Sequence, residues 1–320
     1  MNSIGNQTVI GGHGVLGSKV AWRLKNQSTE QDKIAVIDNG SSRCVECVNM
    51  TSYFDLDVLD VEFEKLRQMF IANDVVYFLA GCRGGAEIET LYEQNVTAAI
   101  RVMRAAQEAQ VPRVVLASTQ QVYGASACPA SGFNVGTALW PVDAYAASNV
   151  AMEAAAFAFH QKGLSVTCLR ISEVFGAGVR HKRLPSLVAG IADTLLSGET
   201  LTLAEPHAVL KDFVHVEEVV DAIVAAGMKH SVLPAYDICS GRPRSVYEIA
   251  SRLAQLYEMR LDYHVDDLLS TEQRLSFGDP RPAMNDLDMK TDRDFASDMK
   301  TTATWLKESH EDAQAACALS

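Results

Sequence analysis

Glycines stand at positions 11, 14 and 17 in Gly11-Gly12-His13-Gly14-Val15-Leu16-Gly17, directly after the β-like run Thr8-Val9-Ile10. A strand, a glycine-rich turn and a helix in that order make a dinucleotide site. Glycine tolerates the tight turn, lets the backbone approach a pyrophosphate, and permits close helix–sheet packing. The helix N-terminus then turns free N–H groups toward the phosphates. Asp38 closes the next apolar run, Ile34-Ala35-Val36-Ile37. A carboxylate about 20 residues beyond the glycines accepts hydrogen bonds from a ribose diol and repels a 2′-phosphate. The cofactor this pattern predicts is NAD rather than NADP. His13 lies inside the loop and is placed among the cofactor contacts, although a histidine in such a loop is expected to expose its ring.

Two hydroxyl groups farther along could handle protons. Thr119 follows the run Val114-Val115-Leu116-Ala117, and Tyr145 follows Pro141 and precedes a long apolar helix. A tyrosine, with a free pKa near 10, acts as acid or base in hydride chemistry only when that pKa is lowered. A neighbouring hydroxyl such as that of Thr119 can share the substrate proton. By spacing alone, Tyr145 reads more readily as a buried aromatic. Arg180-His181-Lys182-Arg183 is the densest basic cluster. It either grips a phosphate or carboxylate or lies solvated in a surface loop. Cys44 and Cys47 form an isolated C-x-x-C. A zinc site needs about four ligands, so two incidental thiols are the better reading, and no metal is expected.

The elements that would hold these residues alternate between strand and helix. Val15, Leu16, Val20, Ala21 and Leu24 mark a helix over Val15 to Lys25. Ile34-Ala35-Val36-Ile37, Val75-Val76-Tyr77-Phe78-Leu79 and Val114-Val115-Leu116-Ala117 are fully apolar, as buried parallel strands are. A helix from about Val96 to Ala109 separates the last two, and Ser165 to Leu169 is a further strand after a further helix. The alternation implies right-handed crossovers and a sheet covered on both faces. The expected fold is α/β: a Rossmann doubly wound parallel sheet with a smaller, irregular C-terminal substrate lobe. Beyond Gly176 the regularity weakens, although Asp212 to Val216 reads as a short strand before a helix beginning near Glu217. The expected division is an NAD-binding Rossmann domain over 1–176 with a return segment at about 212–240. The substrate-binding lobe then takes 177–211 and 241–320.

The helix from Ser148 to Gln161 has almost no polar face. A helix apolar all round is buried on more than one side. One side would cover the sheet; the other meets a partner subunit or is buried within the chain. The 28 basic and 40 acidic residues give a formal charge of −12. That balance argues against a general nucleic-acid or anionic-membrane surface. No apolar run reaches the roughly 18 residues of a membrane span. The start MNSIGNQTVIGG lacks a basic, then apolar, leader. Seven cysteines, odd in number and scattered, do not read as a disulfide framework. A soluble protein of the reducing cytoplasm with a small-molecule substrate is expected.

With these residues in place, the chain resembles the extended short-chain dehydrogenases, the NAD-dependent epimerase/dehydratase family to which UDP-galactose 4-epimerase belongs. The resemblance rests on the glycine pattern, Asp38, and the stretches VPRVVLASTQQVYG, DAYAASN, LRISEVFGAG, KDFVHVEEVVDAI and TTATWLKE in family order. It implies that Thr119 and Tyr145 are the catalytic pair, with Asn149 in the position of the third catalytic residue. It places Asp57 and Val58 at the adenine, and Leu79, Ala80, Gly81 and Ser118 along the cofactor with Asn39, Tyr145 and Asn149. Asn95 becomes a structural asparagine. Arg83, Gln120, Glu173, Arg180, Arg183 and Lys211 become the candidate substrate contacts. The helices 96–109 and 148–161 match a pair that forms a four-helix dimer interface, so a homodimer is expected.

Three departures from the family pattern bear on chemistry. The family has Y-x-x-x-K, and the fourth position after Tyr145 is Asn149. Asparagine can bond the ribose but supplies no charge to lower the tyrosine pKa. A phenol with a pKa of about 10 is only about 0.1% ionised at neutral pH, a deficit of about 4 kcal/mol in forming the base. The dehydratases carry an Asp-Glu pair directly after the Thr; Gln120 and Gln121 stand there instead, and amides cannot serve as the acid and base for eliminating water. Glu173 stands where an asparagine is common near the substrate phosphate, and Lys211 where an arginine is common. The carboxylate would repel a diphosphate unless paired, and the lysine loses a bidentate grip. The resulting expectation is oxidation or epimerisation of a secondary alcohol on a sugar or nucleotide sugar. Net dehydrogenation of a sugar or other alcohol, and a catalytically impaired NAD-binding protein, stay open beside it.

Overall fold

The computed structural model describes residues 3–40, 52–82, 85–179, 185–203, 209–229, 233–265 and 275–318. The chain opens with β1 (Gln7–Ile10), α1 (Val15–Gln27), β2 (Ile34–Asp38), β3 (Ser52–Asp55), α2 (Phe63–Met69) and β4 (Val75–Phe78). Then come α3 (Ile88–Leu91), a π-helical turn (Tyr92–Thr97), α4 (Ala98–Glu108), β5 (Arg113–Thr119) and a 3-10 turn (Gln120–Tyr123). Next are α5 (Ala144–Gln161), β6 (Val166–Ile171), β7 (Glu173–Phe175), α6 (Leu187–Leu196), β8 (Leu201–Leu203) and β9 (Leu210–His215). The chain continues with α7 (Val216–Met228), β10 (Ala235–Ile238), β11 (Pro243–Ser245) and α8 (Val246–Leu256). It ends with β12 (Tyr263–Val265), β13 (Leu275–Ser276), α9 (Arg281–Leu287) and α10 (Phe295–Ala318).

Seven strands form one parallel sheet in the order β10-β6-β5-β4-β1-β2-β3. This is the Rossmann arrangement. The order reverses between β1 and β4, and a crevice opens there beyond the carboxyl ends of the strands. Alternation along each strand feeds two cores. Val9 and Val115 face the α1–α7 side with Val20, Leu24 and Ile223, while Ile10 and Val114 face the α2–α4–α5 side with Leu66, Met103 and Met152. A third core joins α6, α8 and α10 through Ile191, Leu253, Met299 and Leu306. Beside it, β9 carries β7, β11 and β13 as a small second sheet.

Several expected boundaries move. The fifth strand runs through Thr119, so the threonine ends β5 instead of following it. α5 starts at Ala144 because Asp143 caps it, its Oδ1 accepting the Ala146 N–H at 2.7 Å, so Tyr145 lies inside the first turn. The helix expected from Val96 starts earlier, at Ile88, and passes through the π turn. α5 is not buried on all sides: Ala154, Phe157 and Ala158 are exposed, while Glu153 is buried. The C-terminal part is less irregular than expected, since α8, α9 and the 24-residue α10 organise it. Among the described residues no three His, Cys, Asp or Glu side chains gather as a metal site would require. No described helix is long and apolar enough to cross a membrane. Cys44 and Cys47 lie outside the described residues.

Candidate active site

The turn after β1 is held closed by backbone contact. A Cβ on Gly11, whose φ is +81°, would lie 2.5 Å from the Ala80 nitrogen, and one on Gly17 would lie 2.1 Å from the Gly11 carbonyl oxygen. At Gly14 the nearest atom would be 3.2 Å away. α1 begins at this turn with no capping side chain and no acidic residue in its first turn. Its first N–H groups can therefore serve an anion, and the turn fits a pyrophosphate. Gly11, His13, Gly14, Asp38, Asn39 and Val58 line one groove with Asp57. Val15 and Gly17 are buried in the helix behind the turn, and Leu16 lines a neighbouring cleft.

Asp38 reaches back to the turn, where Oδ2 accepts the His13 N–H at 2.8 Å. Its other oxygen remains for a ribose hydroxyl. Asn39 donates to Asp57 Oδ2 at 3.4 Å, and Asp57 Oδ1 takes the Leu59 N–H at 2.8 Å, which fixes the loop that carries Val58. The His13 ring is not exposed as expected. It is 1% accessible and stacks on Tyr53 of β3, with ring centroids 5.0 Å apart and planes within 8°. An aromatic from a neighbouring strand gave the ring an apolar cover that the loop sequence does not reveal.

Asn95, on the π turn, anchors the next part. Its Oδ1 accepts the Cys82 N–H at 2.8 Å, and its Nδ2 donates to Cys82 O at 3.0 Å and to Ser148 Oγ at 2.9 Å. It thus ties the Ala80–Gly81–Cys82 loop to α5. Leu79, Ala80 and Gly81 line both the groove and a second cleft. The two cavities therefore adjoin along that loop.

Ser118, Thr119, Gln120, Tyr145 and Asn149 all line this second cleft. Thr119 Oγ1 accepts the Gln121 N–H at 3.2 Å and so caps the 3-10 turn, which leaves its O–H proton to donate elsewhere. Tyr145 projects from the first turn of α5, and Asn149 follows one turn later with Nδ2 donating to the Tyr145 carbonyl at 2.9 Å. A buried ion pair fixes the strand against the helix. Glu153 Oε2 lies 2.7 Å from Arg170 Nη2, and Glu153 Oε1 accepts the Ser118 hydroxyl at 2.5 Å. Arg170 Nη1 donates to Tyr123 Oη at 2.9 Å, and that hydroxyl donates to Asp237 Oδ2 at 3.0 Å. Desolvation pushes Asp237 up to about 7, against the pull of Arg170. Sequence reasoning passed over this network because its members lie far apart in the chain.

Of the expected substrate contacts, Gln120, Glu173 and Lys211 line the cleft, while Arg83, Arg180 and Arg183 lie outside the described residues. Gln120 is buried, with Oε1 3.5 Å from Ser276 Oγ. Ser186 and Ser276 also line the cleft and were missed. Both lie in the less regular half of the chain, with no motif to flag them.

A model of the NAD dependent epimerase/dehydratase family matches residues 8–239. A UDP-N-acetyl-alpha-D-glucosaminuronate decarboxylase from Bacillus cytotoxicus is 24% identical over 263 residues, which cover 78% of this chain and 79% of that protein. The fold superimposes on a UDP-N-acetylglucosamine 4-epimerase from Methanobrevibacter ruminantium M1, solved in complex with UDP-N-acetylmuramic acid. That match has a TM-score of 0.82 at 22% identity and covers 96% of this chain and 99% of the other. MoeE5, solved in complex with UDP-glucuronic acid and NAD, matches with a TM-score of 0.82 at 25% identity, covering 95% of this chain and all of that one.

Proposed function

The chain belongs to the NAD dependent epimerase/dehydratase family, and from that premise we propose that it epimerises a secondary alcohol of a nucleotide sugar. The observation that carries this reading is the join between two cavities. A groove built on the glycine turn and Asp38 adjoins, along Leu79, Ala80 and Gly81, a cleft that holds Thr119 and Tyr145. NAD in the groove supplies a hydride acceptor that can return the hydride. Tyr145 takes the hydroxyl proton as the carbon is oxidised, and Thr119 donates its O–H to the same oxygen. Tyr145 would then give its proton back to the same oxygen, so that reduction of the ketone from its other face would yield the epimer. Gln120 and Gln121 supply no carboxyl group for loss of water, which favours epimerisation over dehydration.

Asn149 favours a second reading, in which the reaction is slow, stops at net dehydrogenation, or has been lost while cofactor binding stays. Its amide is bonded to a backbone carbonyl and brings no charge to the phenol. We assign 1–176 and 212–240 to the cofactor domain and 177–211 and 241–320 to a substrate lobe, on the support of the separate α6–α8–α10 core. The protein in this reading is a cytoplasmic homodimer joined through 96–109 and 148–161. Purified protein with NAD and a panel of nucleotide sugars, free sugars and uronates tests the assignment. The expected result is an isomer of unchanged mass without net NADH. Stoichiometric NADH moves the assignment to a dehydrogenase, and NAD binding without turnover of any substrate favours the impaired reading.

A further inference from the structure

Glu173 opens β7, and its half-buried carboxyl group lines two adjoining cavities. One is the cleft with Thr119; the other is an outer cavity at its mouth. Tyr145, Gln121, Pro185 and Ser186 line both cavities with it, so Glu173 faces the same space as the reacting phenol. Among the described residues no cation pairs with this carboxylate. The cleft's other described carboxylate is committed to the fold. Asp212 Oδ1 accepts the N–H and hydroxyl of Ser240, each at 2.7 Å, and Oδ2 accepts the Gly241 N–H at 2.8 Å. The described cation of the site, Lys211, lines the cleft but not the outer cavity. Asp143 lines the outer cavity as well, with one oxygen held by the start of α5. Among the described residues, the space beside Tyr145 therefore offers the Glu173 carboxylate and acceptor oxygens, and Lys211 lines only the cleft.

We propose that Glu173 sets which substituent the reacting sugar carries: a hydrogen-bond donor, best a free amine, is accepted, and the carboxylate of a uronate is rejected. This rests on the nucleotide-sugar reading above. Two carboxylates facing each other in a partly dehydrated cavity repel, while an ammonium there is attracted. Because Glu173 is only half-buried, solvent screens both effects to about fivefold.

The test is calorimetric binding of UDP-glucose, UDP-glucuronic acid and UDP-6-amino-6-deoxyglucose, which differ only at the sixth carbon, to the NAD-loaded protein at neutral pH and low salt, repeated with Glu173→Gln. In the unsubstituted protein UDP-6-amino-6-deoxyglucose should bind about fivefold more tightly than UDP-glucose, and UDP-glucuronic acid about fivefold more weakly. Glu173→Gln should narrow both ratios to about twofold, with NAD affinity and thermal melting as controls for its fold. Binding of the uronate at least as tight as that of UDP-glucose overturns the proposal, as does a substitution that shifts all three affinities equally. If UDP-glucose binds and the ratios are flat, the nucleotide-sugar reading stands and the Glu173 assignment alone fails. If NAD binds and none of the three sugars does, both fail.

Discussion

Asn149 donates its side-chain amide to the carbonyl of Tyr145, so part of its hydrogen-bonding capacity stays within α5. It adds no charge beside a phenol that lines the same cleft. Forming a phenolate at neutral pH from a group with a pKa of about 10 costs about 4 kcal/mol, and a nearby cation offsets part of that cost. Asn149→Lys should therefore raise turnover at pH 7 by about tenfold or more and move the acid limb of the kcat profile to lower pH. Steady-state rates from pH 5.5 to 9.5 measure both. A fall in turnover, or a limb that does not move, would mean that the proton leaves by a route for which asparagine is already suited. The same position shows what a sequence can reveal. The residue type exposed the missing charge, but the bond to Tyr145 depends on where α5 starts. That start was hidden because the helix was expected to begin after Tyr145, and the Asp143 cap places it earlier.

Strands were the most legible elements, because a parallel strand covered on both faces is mostly apolar; β1, β4 and β6 are fully buried, although β1 carries Gln7 and Thr8 and β6 carries Thr167 and Arg170. The π turn left no mark on the hydrophobic pattern, and Glu153 stood as a lone charge in an apolar run until the fold brought Arg170 to it. Those two side chains are nine-tenths buried and bonded to each other. Glu153→Ala strands the guanidinium and should cost about 3–5 kcal/mol. Adding Arg170→Met to it should recover part of that loss, because the uncompensated charge is gone. Urea denaturation of the single and double variants measures this, and a double variant no more stable than the single one would refute it. His215 gives α7 its own signature. It caps the helix, with Nδ1 accepting the Glu217 N–H at 3.3 Å, and burial lowers its pKa from 6.5 to about 4. Across that interval the unfolded chain binds more protons than the folded one, so stability is full above about pH 6.5 and falls as the pH drops toward 4. The contribution is on the order of 1–3 kcal/mol. His215→Asn keeps a good capping residue and should flatten the fall between pH 7.5 and 5. An unchanged slope in the variant would assign the acid sensitivity to other groups.

At the scale of the whole molecule, the inner side of α5 builds the site while its outer side looks outward. Asn149, Met152 and Glu153 are buried toward the cleft and the core, whereas Ala154, Phe157 and Ala158 are exposed. Phe157 is 54% accessible, and Ile100 on the neighbouring α4 is 38% accessible. Small residues let a second helix approach closely, and an aromatic beside them supplies apolar area to bury, so this face suits an isologous contact between two copies. The homodimer should be the main species at micromolar concentration by light scattering. Phe157→Asp would place two carboxylates near the symmetry axis and should convert it to monomer. Phe157 lies twelve residues beyond Tyr145, about 18 Å along the helix at 1.5 Å per residue, so NAD affinity should persist in the monomer. A wild-type protein that is already monomeric refutes the interface outright. A variant that stays dimeric moves the contact to another surface. If the variant is monomeric and turnover falls with NAD affinity intact, then α5 needs its neighbour to hold Tyr145 in register with Thr119, and the dimer is part of the active site's support.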